Sequence, residues 1–279
     1  MVKINNVEFL IGCDPEVFVL GPDGQPVSAY GLIPGSKTDP MKVRNGMVQV
    51  DGMALEFGID PAATKEEFVF RVKDVMQQLQ DMLPRGHTLK RDSSVAFFAE
   101  EIMKVQPEEA LELGCDPDYN AYTLDKNPRP QLPATNLRSA GGHIHVGWGN
   151  KFDTVNSEHI KACAALACEM DYYVGAASLA WDKDALRRSI YGAAGAFRPK
   201  PYGMEYRSTS NQWIMNEDLM GFVYDATVTA IQSLFSEEVK SAKNIPFFKG
   251  AISIPAYSVI NENWAYLGQA IYNEVKTVV

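Results

Sequence analysis

The chain lacks the marks of several large functional classes. Its four cysteines, Cys13, Cys115, Cys163 and Cys168, form no C-x-x-C pair, which argues against a structural zinc site. Free thiols in a reducing compartment are their simplest state. No apolar run approaches the roughly 20 residues of a membrane span. The first residues, Met1-Val-Lys-Ile-Asn-Asn6, lack a signal-peptide apolar core, so a cytoplasmic location is expected. Positive charge is short: 26 Lys and Arg stand against 35 Asp and Glu, a net charge of −9. That balance argues against a general nucleic-acid or anionic-membrane binder. The patterns G-x-G-x-x-G, G-x-S-x-G and H-E-x-x-H do not occur. Gly31-Leu-Ile-Pro-Gly-Ser-Lys-Thr38 looks like a phosphate-binding loop but fails the required spacing. Lys37 remains a candidate anion contact, with a solvated loop lysine as the plain alternative.

What is present is an ordinary globular composition, 46% hydrophobic and 22% charged, long enough for a sizeable core. Val7 to Leu20 reads as a strand, Gly21-Pro-Asp-Gly24 as a turn, and Val27 to Leu32 as a strand again. Asn45-Gly46 is a hairpin signal joining Met41–Arg44 to a long arm, Met47–Ile59. Thr64 and Glu67 form a capping box before a helix that Pro84 ends. One or two strands are expected in 87–105, irregular chain in 114–138, and a strand near 139–148. A long helix should follow Asn156 or Ser157 to about Trp181, then a loop over 185–201 and a strand over 202–208. Helices are expected from Glu217 to Phe235, over 236–243, and from Glu262 to Val275. Without regular βαβ spacing, this order favours α+β with a mainly antiparallel sheet, and no linker divides the chain into domains.

Two of only four histidines sit two residues apart in Ala140-Gly-Gly-His-Ile-His-Val-Gly147. Strand alternation puts His143 and His145 on one face and Ile144 and Val146 on the other. The glycines allow close approach of the backbone. A core histidine is the plain reading of one imidazole, but two on one face point to metal or phosphate. Asp14-Pro-Glu16 sets two acids in an otherwise core-like strand, where buried carboxylates need a cation. Pro15 calls for an edge or a bulge there. Glu56 is a further acid in an apolar strand, whereas Asp51 reads as a capping or solvated residue near a turn, and Gln49 adds little. Glu205 and Arg207 share a face, which on its own could be a surface salt bridge. Arg187, Arg188, Arg198, Lys200 and Arg207 place five cations in 21 residues, a patch suited to phosphate oxygens. Asp14, Glu16, Glu56, His143 and Glu205 are an oxygen-rich set with one imidazole, which suits Mg²⁺ or Mn²⁺.

The order of these motifs, in Gly12–Phe18, Val48–Ala62, Gly114–Tyr122, Ala140–Val146 and Tyr191–Trp213, resembles the glutamine synthetase and glutamate–cysteine ligase superfamily. Within it, the chain is similar to the phage-type COOH–NH2 ligases over roughly residues 8–215. The resemblance implies a curved, mainly antiparallel sheet with flanking helices, like the glutamine synthetase catalytic domain, here as one domain over 1–279. It implies metals between ATP and substrate. Asp14, His143 and Glu205 would hold the metal facing ATP, and Glu16 and Glu56 the one nearer the acceptor. His145, with Lys37, Arg187, Arg188 and Lys200, would lie near the nucleotide. Arg207, with Arg198 or one of Arg187 and Arg188, would neutralise the transferred phosphoryl group. Asp14 is shorter than the glutamate common in glutamine synthetases, and Glu56 has no obvious second glutamate partner.

The expected activity is an ATP-dependent carboxylate–amine ligase that forms an amide through an acyl phosphate. Its partners would be a small-molecule or peptide carboxylate and an amine or ammonia, in the cytoplasm of a phage-infected or prophage-carrying bacterium. Neither nucleic acid nor membrane is expected; self-association is allowed, but the ring of glutamine synthetases is not implied. The alternatives are a metal-dependent hydrolase built on His143, His145, Asp14 and Glu16, and a binding module without turnover.

Overall fold

The computed structural model describes residues 2–4, 6–111, 118–128, 134–182, 184–235, 245–246 and 253–279. Its frame is a large antiparallel sheet flanked by helices. The strands are β1 (Val7–Leu20), β2 (Met41–Val43), β3 (Gly46–Asp51), β4 (Ala54–Ile59), β5 (Tyr119–Asn120), β6 (Gly142–Gly147), β7 (Ala196–Lys200) and β8 (Gly203–Tyr206). They lie in the order β2-β3-β4-β1-β6-β8-β7-β5, and short strands Val2–Ile4, Pro26–Val27 and Thr88–Lys90 also pair with β1. Every ladder between these strands is antiparallel.

Alternation decides the two faces. Ile11, Cys13 and Val17 of β1, Leu55 and Phe57 of β4, Ile144 and Val146 of β6, and Met204 and Tyr206 of β8 are buried in the main core. Helices α1 (Lys65–Met82), α2 (Ser157–Met170) and α4 (Glu217–Leu234) carry apolar residues into the same core. Thr64 caps α1 by accepting from Glu67 N, and Asn156 caps α2. Between α2 and α4 comes α3 (Ala185–Ile190); α5 (Ala256–Asn261) and α6 (Ala265–Val275) close the described chain. The opposite sheet face, with Asp14, Glu16 and Glu56, is left for chemistry.

Several expectations change in detail. Val27–Leu32 is not a continuous strand: only Pro26–Val27 pairs, and the chain then turns, with Leu32 N bonding to Ala29 O and Gly31 at a positive φ of 77°. The arm Met47–Ile59 is broken at Gly52 (φ 58°) into β3 and β4, which form a second hairpin. The segment 185–201 is ordered as α3 and β7 instead of a loop. Pro199 is tolerated in β7 because that strand has an outer partner only at Ala196 and Phe197. Pro15 makes no bulge; it lies where the pairing of β1 with β4, limited to Glu16 and Val17, stops. The long helix changes to a π-helical turn at Asp171–Ala176, and the last helix starts at Ala265, preceded by α5. The helix expected over 236–243, Cys115, and the block from Gly114 as far as Pro117 lie outside the described residues.

Candidate active site

Register assembles the site. Asp14 of β1 is directly opposite His143 of β6. His145, two residues along, is opposite Glu205 of β8, and Glu205 is opposite Arg198 of β7. On the other side Glu16 faces Glu56 of β4, which faces Gln49 of β3. A two-residue period thus lines acids, imidazoles and cations in one row across five strands. The glycines before the histidines are required by crowding. A Cβ on Gly142 would run into the Ser210 carbonyl and the Trp213 indole, and one on Gly141 into the His143 ring.

Glu205 is the centre of charge, 1% exposed. Arg207 Nη1 donates to it, Lys200 Nζ lies 2.7 Å away and Arg198 Nη1 3.5 Å away. Burial pushes the Glu205 carboxyl up, but Arg207, the two imidazoles and Lys200 hold it well below its ordinary value. Asp14 Oδ1 lies 3.3 Å from His143 Nδ1, and Asp14 Oδ2 lies 3.0 Å from His145 Nε2. For Asp14 too, burial is outweighed, by the charge of His145 and the contacts to both imidazoles, and its carboxyl sits below the usual range.

The second half of the row behaves oppositely. Burial and the neighbouring Asp14, Glu16 and Asp51 carboxyls push Glu56 well above its ordinary value. Glu16 is raised by burial, with His143 offsetting part of the rise, and accepts from Gly141 N at 2.7 Å. Close carboxylates without a cation resist ionisation. One half of the site is therefore a set of balanced charges, and the other holds acids that need a positive partner.

Among the described residues, two groups of donor atoms could hold ions: Asp14, His145 and Glu205, and Glu16, Asp51 and Glu56, each with its atoms within 4.8 Å of one another. His143 Nδ1 joins the first, 3.5 Å from Glu205 Oε1. His143 Nε2 is buried and makes no hydrogen bond among the described residues, and the polar neighbours of Asp14 Oδ1 and His145 Nε2 are the imidazole and carboxylate contacts at 3.3 and 3.0 Å. A cation would satisfy such atoms, and carboxylate oxygens with imidazole nitrogens and no thiolate fit Mg²⁺ or Mn²⁺. A cavity of about 830 Å³ opens beside them, touching Asp14, Gln49, Glu56, His145, Trp148 and Tyr202.

Asp14, Glu16, Glu56, His143, His145, Arg198, Lys200, Glu205 and Arg207 are thus brought together. Lys37 stands at the rim, 3.4 Å from Asp51. Arg187 and Arg188 are corrections to the expected basic patch. Arg187 is wholly buried and donates to the carbonyls of Ala140 (2.9 Å), Ser208 (3.1 Å) and Thr209 (2.9 Å). Arg188 pairs with Asp182 at 2.6 Å and donates to Asn263. Both guanidiniums are spent inside the fold. Asp51 is also corrected: it lies with Glu16 and Glu56 and is the second acid that Glu56 lacked in the sequence reading.

Sequence reasoning did not single out three further residues. Asp118 Oδ2 accepts from Arg207 Nε at 3.3 Å; the sequence signal available for it is that Cys115-Asp-Pro-Asp118 repeats the pattern of Cys13-Asp-Pro-Glu16. Tyr191 hydroxyl meets Arg207 Nη2, and Tyr202 hydroxyl meets His145 Nδ1 with the two rings stacked. Nothing in the local pattern separates these tyrosines from core aromatics.

The profile of the family described as "Phage phiEco32-like COOH.NH2 ligase-type 2" matches residues 134–258, a stretch that includes β6, β7 and β8 but not the acids of β1 and β4. A solved structure titled "GmaS/ADP complex-Conformation 1" is similar, with a TM-score of 0.44 and 12% identity over 97% of this chain and 69% of that one. No curated protein matches. The chain resembles the phage-type COOH–NH2 ligases in the order of its motifs, and its residues 134–258 match that family.

Proposed function

We propose that this chain is an ATP-dependent carboxylate–amine ligase, acting as one catalytic domain over residues 1–279 on a sheet curved around the site. The observation that carries the reading is the row of β1, β4, β6, β7 and β8 side chains, in which a buried glutamate is surrounded by Arg198, Lys200 and Arg207 beside a second, all-acid group. The family match over β6 to β8 supports it.

Asp14, His143 and Glu205 would hold a divalent cation facing the ATP phosphates, and Glu16 and Glu56, now with Asp51, a second one. Such cations, when bound, spread the charge of the phosphates and of the transferred group. The chain's own cations have a separable task. Arg198, Lys200 and Arg207 neutralise the phosphoryl group as it moves to a substrate carboxylate and ADP leaves. His145 contacts the phosphates from the cavity side, and Lys37 offers a charge at the rim. An amine or ammonia then attacks the acyl phosphate, the amide forms and phosphate leaves. The acids of the second group favour the ammonium form of the amine near the site, and one of them takes the proton that attack requires. The substrates are a small-molecule or peptide acid and an amine, met in the cytoplasm of a bacterial cell carrying phage genes.

The test is ADP release from ATP and Mg²⁺ or Mn²⁺ across a panel of acid and amine pairs. Wild-type protein releases ADP only with the right pair, and Glu205→Ala abolishes release while keeping its circular dichroism. Full activity in Glu205→Ala overturns the residue assignment. Tightly held stoichiometric zinc, with hydrolysis and no nucleotide requirement, would replace the ligase by a metal-dependent hydrolase.

A further inference from the structure

Asp171 is wholly buried at the start of the π-helical turn Asp171–Ala176. It lies behind the sheet, on the face opposite the row of charges. Its oxygens meet hydroxyls, not cations: Tyr206 Oη donates to Oδ1 at 2.6 Å and Tyr122 Oη to Oδ2 at 2.7 Å. Ser208 Oγ lies 3.5 Å from Oδ1, and the Gly195 backbone also donates. Among the described residues Asp171 forms no ion pair. A buried carboxylate is costly, and one held by hydroxyls and a backbone N–H with no cation needs a reason.

Each donor belongs to a segment that supplies the site. Tyr206 stands between Glu205 and Arg207; it points into the core because its neighbours point at the row of charges. Ser208 follows Arg207. Tyr122 is four residues from Asp118, which accepts from Arg207 Nε. The Gly195 loop leads into β7, which carries Arg198 and Lys200. Gly175, on the same π-helical turn, is the complementary feature: a Cβ there would occupy the place of the Tyr206 hydroxyl and lie 3.4 Å from Asp171 Oδ1. The wide turn and its glycine thus open the space through which the tyrosine reaches the acid. Such π-bulges are often found at functional sites.

We propose that Asp171 is a positioning residue: by tying Tyr206, Ser208, Gly195 and Tyr122 to one carboxylate it fixes the strand end that aims Arg207 and the segment that presents Asp118 to it. The role of Arg207 in phosphoryl transfer rests on the ligase reading, but the clamp itself does not. Misplacement of a reacting group by about 1 Å can cost on the order of 100-fold in rate.

The experiment compares wild type with Asp171→Asn, Tyr206→Phe, Tyr122→Phe and, as a remote control, Lys65→Ala, whose ion pair with Asp225 lies on the helices. The first readout needs no turnover: the ¹⁵Nε–H signal of the Arg207 guanidinium in the ligand-free protein. Asp171→Asn and Tyr206→Phe should shift or broaden it, and Lys65→Ala should leave it unchanged. The second readout is kinetic, with kcat falling roughly 10- to 100-fold and KM for nucleotide changing less than about 3-fold, as expected for a group acting in the transition state. If Asp171→Asn does not fold, Tyr206→Phe decides, since it removes one hydroxyl only. An unchanged Arg207 signal in folded Tyr206→Phe overturns the proposal. A perturbed Arg207 signal in the variants, beside a wild type that releases no ADP, keeps the clamp and rejects the ligase reading instead.

Discussion

Replacing Arg187 with methionine separates a structural from a phosphate-binding role for the most deeply buried cation of the expected patch. Its three donors hold Ala140, just before the glycines of the histidine strand, to Ser208 and Thr209, just after Arg207. The Thr209 carbonyl keeps a second partner, Gly142 N at 3.1 Å. The Ala140 and Ser208 carbonyls lose the guanidinium and are left buried. Each unsatisfied acceptor costs about 1–3 kcal/mol, so the loss is about 2–6 kcal/mol. That is a large share of the roughly 5–15 kcal/mol by which a domain is stable. At about 2–4 °C per kcal/mol the melting temperature should fall by roughly 10 °C. Thermal unfolding followed by far-UV circular dichroism measures this, beside a nucleotide titration well below the new midpoint. The account expects a large drop in Tm and nucleotide affinity that is retained by the folded fraction. A Tm within about 2 °C of wild type together with lost nucleotide affinity would refute it and return Arg187 to the ligand.

Two further outcomes follow from the charge balance. The Glu205 carboxyl is held below its ordinary 4.5, so its pairing stabilises the fold fully above about that pH and the stabilisation is lost as pH falls through the lowered folded value. Urea midpoints of wild type and Glu205→Gln should therefore converge on acidification below pH 4.5, and parallel curves would contradict the pairing. Glu56 is raised instead, so it is protonated above its ordinary range and a cation bound by Glu16, Asp51 and Glu56 must displace that proton. Mn²⁺ calorimetry in two buffers of different ionisation heat should show proton release that Glu56→Gln removes, with affinity rising as pH rises; equal heats in both buffers would count against an ion at this group.

The site was legible in the sequence where a two-residue period could be read in an apolar strand. Asp14 and Glu16, Glu56, His143 and His145, and Glu205 and Arg207 all break an otherwise core-like pattern, and alternation alone places each pair on one face. What the pattern does not contain is which strand lies beside which. The register that sets His145 against Glu205 and Glu16 against Glu56 is a long-range property, as is the meeting of Asp51 with those acids across the second hairpin. Charge counting misled at Arg187 and Arg188, because a run of cations reads the same whether it faces phosphate or buried carbonyls. Secondary structure failed where backbone geometry overrode composition. Gly52 ends β3 and Gly31 turns the chain beyond Val27, each with a positive φ, and the Pro- and Gly-rich 185–201 stretch is ordered because Arg187 and β8 give its neighbourhood partners.

The measurement that bears most directly on the central claim is nucleotide binding by calorimetry, with ATP or a non-hydrolysable analogue, with and without Mg²⁺ or Mn²⁺. Binding that requires the metal and weakens in Glu205→Ala is the predicted result, since Glu205 is where Arg198, Lys200, Arg207 and the two imidazoles converge. No binding at millimolar nucleotide with either metal, in a folded wild-type protein, would contradict the ligase reading.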